Sequence, residues 1–102
     1  MQTGSGGEFV SPSGNISCEV STTSVMCETN SPARSATMGS SGSYKVCDGD
    51  SCLGNAGDGT PTLRYGQSTG VGPFTCSSAS SGVTCEVNGK GFVISASGIS
   101  AA

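Results

Sequence analysis

Two stretches of this chain follow one pattern, each built around a pair of cysteines with eight residues between them. Gly14, Cys18, Val25, Cys27, Glu28 and Asn30 recur as Gly72, Cys76, Val83, Cys85, Glu86 and Asn88, at a constant offset of 58 and without gaps. Between the cysteines, apolar and polar residues alternate: Ile16, Cys18 and Val20 on the way out, Val25 and Cys27 on the way back. Alternation of period two is the mark of a strand with one buried face. Each Cys-x8-Cys unit is therefore expected to be a β-hairpin whose cysteines face each other across the strands.

The register follows by counting. A two-residue loop at Thr22-Thr23 sets Val20 opposite Val25 and Cys18 opposite Cys27; Ser80-Ser81 likewise sets Ser78 opposite Val83 and Cys76 opposite Cys85. Directly opposed residues in a non-hydrogen-bonded pair have Cα atoms about 4.5 Å apart, close enough for a disulfide. Thr-Thr and Ser-Ser are poor choices for a type I′ turn, which wants Asn or Gly, so a wider four-residue loop is the alternative. Asn88-Gly89 is the better turn signal. It pairs Cys85 with Phe92 and Val83 with Ile94, giving a three-stranded meander over residues 73–96.

Six cysteines admit 15 connectivities. The local set is favoured: Cys18 with Cys27, Cys47 with Cys52 and Cys76 with Cys85. Such staples compensate for a thin core. Apolar residues make up 33% of the chain and the aromatics are Phe9, Tyr44, Tyr65, Phe74 and Phe92, with no Trp. Seventeen glycines add to the entropy that folding must overcome. In a chain this short, six cysteines point to an oxidising compartment. A secreted or cell-envelope location with the leader peptide removed is the expectation, and no apolar run is long enough to span a membrane.

The middle of the chain carries weaker signals. Residues 30–43 read as a long loop, 43–47 and 62–66 as short strands, and no capped 3.6-residue period marks a helix. Residues 1–8 read as a flexible lead, 9–96 as a single β domain and 97–102 as a flexible tail with little to anchor it. The expected fold is an all-β, disulfide-stapled sandwich or partly open barrel of short antiparallel strands.

Candidate chemistry is sparse. The absence of histidine removes the commonest general base and metal ligand. Four Lys/Arg against seven Asp/Glu, without a basic run, argue against nucleic acid. Cys47-Asp-Gly-Asp-Ser-Cys52 has four intervening residues where redox motifs have two, and zinc knuckles would need a second closely spaced pair. Asp48, Asp50, Asn55 and Asp58 begin like a calcium loop but lack its Gly and its closing Glu, so turn chemistry explains them. Asn15-Ile16-Ser17 is a formal glycosylation sequon. Glu28 and Glu86 could suggest a paired-carboxylate glycosidase. Strand parity sets them opposite the cysteines, where they are expected to solvate the outer faces. No catalytic, cofactor-binding or metal residue is assigned. Tyr44, Lys45, Arg64 and Tyr65 are the candidates for partner contact, Tyr and Arg being the residue types of binding hot spots. Alternatively, the tyrosines complete a poor core.

Together, Phe9-x-Ser-Pro-Ser-Gly-Asn-Ile16-x-Cys18, Cys47-x-Gly-Asp50-Ser51, Tyr65-Gly66, Phe74-x-Cys76, Gly82-Val-Thr-Cys85 and Gly89-x-Gly91-Phe92 resemble a family of small secreted or lipid-anchored actinobacterial proteins of uncharacterised function. The resemblance covers residues 9–95 and implies an extracytoplasmic, cysteine-stapled β domain. It supplies no activity. This chain lacks the family's usual third cysteine ahead of the Cys-x-Gly-Asp step and carries Cys52 instead, so that a local bridge to Cys47 replaces a longer one. The functional expectation is a monomeric, non-catalytic extracellular or cell-envelope binding module for a protein or cell-wall component. The second expectation is a secreted inhibitor that offers a hydrolase a rigid loop from residues 31–42 or 53–61.

Overall fold

The structure, a computed structural model, describes residues 8–31, 33–49, 52 and 61–102. Among the described residues ten strands form two antiparallel meanders. The first comprises β1 (Phe9–Val10), β2 (Ile16–Val20), β3 (Ser24–Thr29), β4 (Arg34–Gly39) and β5 (Tyr44–Asp48), adjacent in that order. The second comprises β6 (Ser68–Val71), β7 (Phe74–Ala79), β8 (Gly82–Val87), β9 (Lys90–Ser95) and β10 (Gly98–Ala101), again adjacent in chain order. No helix among the described residues is long and apolar enough to cross a membrane.

Both cysteine hairpins adopt the register that their spacing predicts. Cys18 pairs with Cys27 and Val20 with Val25; Cys76 pairs with Cys85 and Ser78 with Val83. The disulfides are Cys18–Cys27, Cys47–Cys52 and Cys76–Cys85, and the two hairpin bridges span Cα separations of 4.0 and 4.1 Å. In each sheet the bridge joins the second strand to the third. The Asn88-Gly89 turn has φ of 53° and 79°, the two positive values that a type I′ turn requires. Thr22 and Thr23 take no positive φ, so their turn is of another kind. Ser21 holds it, its backbone N–H donating to the Ser24 carbonyl at 2.8 Å while its hydroxyl accepts from the N–H groups of Thr23 and Ser24. A serine at the strand end supplies the hydrogen bonds that the loop residues cannot.

The inner faces of the two sheets meet at the sulfurs. Cys27 Sγ lies 3.6 Å from Cys85 Sγ, and all four hairpin cysteines are at most 2% exposed. One cross-strand row runs Phe9, Cys18, Cys27, Ala36, Val46; its counterpart runs Thr69, Cys76, Cys85, Phe92, Ala101. Ala36 and Phe92 hold equivalent steps in the two rows, and β4 packs on β9. A small residue on one sheet against a large one on the other lets the layers interdigitate. Phe9, Phe74, Phe92, Met38, Leu63 and Ile94 fill the remaining core.

Several expectations are corrected. Residues 30–43 are not a long loop, because β4 runs through them as an interior strand of the first sheet, paired with β3 and β5. The serines, glycines and single threonine around it obscure an inward alternation of only two apolar residues, Ala36 and Met38. Residues 62–66 do not form a strand. Thr62 makes an isolated parallel bridge to Val10, with the Val10 N–H on the Pro61 carbonyl and the Leu63 N–H on the Val10 carbonyl, both at 2.9 Å. This strap closes the outer edge of β1. Residues 97–102 carry β10, which pairs with β9 over Gly98–Ala101, Ile99 packing against the core. The three-stranded meander is thereby the middle of a five-stranded sheet. The Leu53–Pro61 segment lies outside the described residues except for Pro61.

Gly91 sits opposite Glu86, and a Cβ there would lie on the Cys85 carbonyl oxygen. Gly91→Ala is expected to destabilise the fold by about 3 kcal/mol, the upper part of the overpacking range, read as a lowered midpoint in urea unfolding. A chain-entropy estimate gives each short-loop disulfide about 2–3 kcal/mol. Replacing Cys18 and Cys27 together by Ala is expected to cost more than replacing Cys47 and Cys52, because the first pair is also core volume and Cys47 is exposed.

Candidate functional site

The meander topology sends alternate turns to opposite ends of the sandwich. The β1–β2 turn (residues 11–15), the β7–β8 turn (80–81) and the β9–β10 turn (96–97) gather at one end with the Tyr65 turn. The β4–β5 turn (40–43), the β8–β9 turn (88–89) and the end of β10 gather at the other. A cleft opens at each.

At the first end the cleft holds about 140 Å³ between Ser11, Ser13, Ile16, Tyr65, Ser81 and Ser95, with no charged residue in its walls among the described residues. The serines of its β1–β2 turn are tied down. Ser11, 3% exposed, accepts the Ile16 N–H at 3.3 Å and shares a hydrogen bond with the Ser13 hydroxyl at 2.9 Å. Asn15 links this turn to the next one in the same sheet: its amide donates to the Ser31 carbonyl at 3.1 Å and accepts the Ser31 N–H at 3.0 Å. The sequon asparagine is therefore engaged on both sides of its amide.

Tyr65 stands over this cleft on a tight turn. The Gln67 N–H donates to the Arg64 carbonyl at 3.0 Å, Gly66 has φ of 88°, and the Arg64 N–H donates to the Gln67 side chain at 3.2 Å. A positive φ at the third position is the requirement that makes glycine the usual residue there in a type II turn. Leu63, fully buried, anchors the turn on one side, and the Gly66 N–H bonds the Ser78 carbonyl at 2.7 Å on the other. The ring itself remains 49% exposed.

The second end differs. Its opening, about 440 Å³, is lined by Gly42, Ser43, Tyr44, Lys90 and the chain end at Ala101 and Ala102. Tyr44 is half-buried with its ring 5.7 Å from that of Phe92. Lys45 and Val46 are exposed along the edge strand β5. The four residues singled out for partner contact thus do not share one surface. Tyr44 and Lys45 belong to β5, while Arg64 and Tyr65 belong to the turn that follows the β1 strap. Tyr44 completes the core and Tyr65 does not.

The two glutamates do not converge. Glu28 lies on the outer face of the first sheet and Glu86 on the outer face of the second, so they point away from each other and form no carboxylate pair. Glu86 is exposed as expected, but Glu28 is 3% exposed, which corrects its assignment to solvent. Its cross-strand neighbours Ser17 and Ser35 are buried as well, so this part of the outer face is covered. Of the calcium-like residues, Asp50, Asn55 and Asp58 lie outside the described residues. Asp48 is exposed and stands 3.9 Å from Arg34 Nε, too long for a hydrogen bond. Arg34 was no candidate in the sequence, where it reads as a loop residue. It occupies the inward parity of β4, and its buried Nε has no hydrogen-bond partner among the described residues. The Sγ atoms of Cys18, Cys27 and Cys85 lie within 4.8 Å of one another, but each is bound in a disulfide and offers no thiolate.

No family model, no curated protein and no solved structure matches this chain.

Glu19, exposed on the outer face of β2, hydrogen-bonds Glu8, and this bond raises its carboxyl above the usual range, helped by slight burial and by repulsion from Glu8 and Glu28. A raised folded-state pKa means that the folded protein holds this proton more tightly than the unfolded chain. The contribution is present at acid pH and is lost as pH rises through the folded pKa. Glu19→Gln is expected to raise stability at neutral pH by up to about 0.5 kcal/mol and to leave a smaller gain on acidification, checked by thermal unfolding at several pH values.

Proposed function

We propose that this chain is a non-catalytic binding module of an extracytoplasmic compartment, and that the end of the sandwich bearing Tyr65 meets its partner. The observation that carries the reading is a large aromatic ring left half in water on a turn hydrogen-bonded at both flanks. Elsewhere in this protein aromatic surface is scarce and is spent on the core: all three phenylalanines are at most 1% exposed. A rigid aromatic buries contact area on binding at little entropic cost, which is why Tyr and Arg recur at binding hot spots. Three disulfides fit an oxidising environment, and secretion or envelope attachment agrees with the resemblance to small actinobacterial proteins. On this reading the two meanders are tandem copies of one unit, of which the first supplies the cleft's serine turn and the second its opposite wall.

The inhibitor reading has less support. Of its two loops, residues 31–42 hold β4, an interior strand of the first sheet, which cannot be offered to a hydrolase without opening the sheet.

Immobilised, fully oxidised protein is expected to retain a partner from envelope and culture extracts of its own organism, and a reduced, alkylated control is not. Tyr65→Ala or Arg64→Ala should lower that retention without lowering the unfolding temperature, since both side chains are exposed. Equal retention by the oxidised and the reduced form, or by wild type and both variants, would overturn the reading.

A further inference from the structure

We infer that the cleft beneath Tyr65 is a binding site for a neutral sugar unit, an inference that rests on the binding-module reading and names its ligand class. The walls exclude other chemistries first. Among the described residues no Lys, Arg, Asp or Glu lines the cleft, so a phosphate, carboxylate or ammonium group entering it would lose hydration without gaining a counter-charge from them. A purely apolar ligand is equally mismatched, because hydroxyls from three separate turns line the opening: Ser11 and Ser13 from the first, Ser80 and Ser81 from the second and Ser95 beside the third.

What remains is a ligand that presents many neutral hydroxyls and one apolar face. A hydroxyl both donates and accepts, so serines can match a sugar's hydroxyls in either sense. The faces of a pyranose carry C–H groups that pack on an aromatic ring, and Tyr65 supplies such a ring at the cleft mouth, 49% exposed. Ile16 and Ala79 give the same cleft a small apolar floor suited to a methyl group such as that of an acetamido substituent. The arrangement is set before binding. Ser11 and Ser13 are hydrogen-bonded to one another and to backbone, and Ser95 bonds the Ser97 hydroxyl at 2.9 Å. Ordering cost on binding is correspondingly low. The size of the cleft, about 140 Å³, suits one ring and not a longer stretch of glycan.

The test is a titration of the oxidised, isotope-labelled protein with N-acetylglucosamine and, separately, with glucose and glucuronate, followed by amide chemical shifts. Millimolar N-acetylglucosamine or glucose is expected to shift amides of residues 11–16, 65–66 and 79–82, and glucuronate to shift them less. Tyr65→Ala should weaken binding about tenfold, the loss of one well-placed aromatic contact. Lys90→Ala, at the opposite end of the sandwich, should leave it unchanged. Unmoved shifts with all three sugars, shifts centred elsewhere, or a Tyr65→Ala variant that binds as well as wild type would overturn the site. A partner retained in the pull-down while the sugars leave the cleft untouched would overturn this inference alone and leave the binding-module reading standing.

Discussion

The contact between two cystines at the centre of the molecule is the constraint on which the rest depends. Cys27 Sγ and Cys85 Sγ meet at 3.6 Å, each already tied to its own hairpin partner. Sulfur is large and polarisable, and four buried half-cystines supply packing volume that this composition otherwise lacks. A chain with five aromatic residues and no Trp cannot fill a two-layer interior with rings alone. The cystines do so at its middle, and they fix the register of β2 against β3 and of β7 against β8 at the row where the sheets touch. A slip of one residue in either hairpin would turn the sulfurs to solvent.

From that fixed centre the rest of the sandwich is built by local turns. Because each sheet is a simple meander, its turns fall alternately at the two ends, and the ends acquire different chemistry. One collects Ser-rich turns and Tyr65; the other collects Gly42, Tyr44 and Lys90. The interior is held by the cystines, three phenylalanines and aliphatic chains, so the exposed tyrosine and the constrained serines at the first end are not needed to keep the core closed. Binding chemistry can therefore be concentrated there without weakening what holds the sheets together.

How far the sequence discloses this depends on how strongly each strand alternates. β2, β3, β7, β8 and β9 were legible because cysteines, valines and the Asn88-Gly89 turn fix parity and register independently. β4 was hidden because its inward positions hold Ala36, Met38 and a charged Arg34, a weak apolar signal beside threonine, serine and glycine. β6 and β10 were hidden for a related reason: as edge strands they bury little, and Ser68–Val71 and Gly98–Ala101 have no apolar stripe to announce them. The site was half legible. Tyr65 could be named from residue type, but its separation from Tyr44 depends on which sheet edge each occupies, and the serine cleft depends on three turns far apart in the chain. Burial of Glu28 was likewise beyond parity, which assigns a face but not what covers it.

The strap at Pro61–Leu63 carries a consequence for the order in which the molecule can be completed. Every strand pairing within the first sheet lies within residues 9–48, and its hairpin disulfide closes over nine positions of sequence. That sheet can assemble and oxidise as soon as it has emerged. The outer edge of β1 is different, because Val10 exchanges its hydrogen bonds with a segment more than fifty residues later. Until that segment arrives, the β1 edge of the first sheet is unpaired and its inner apolar face is uncovered. The same short crossing then seals the edge and delivers the chain to β6, so protection of the first half and initiation of the second are a single event.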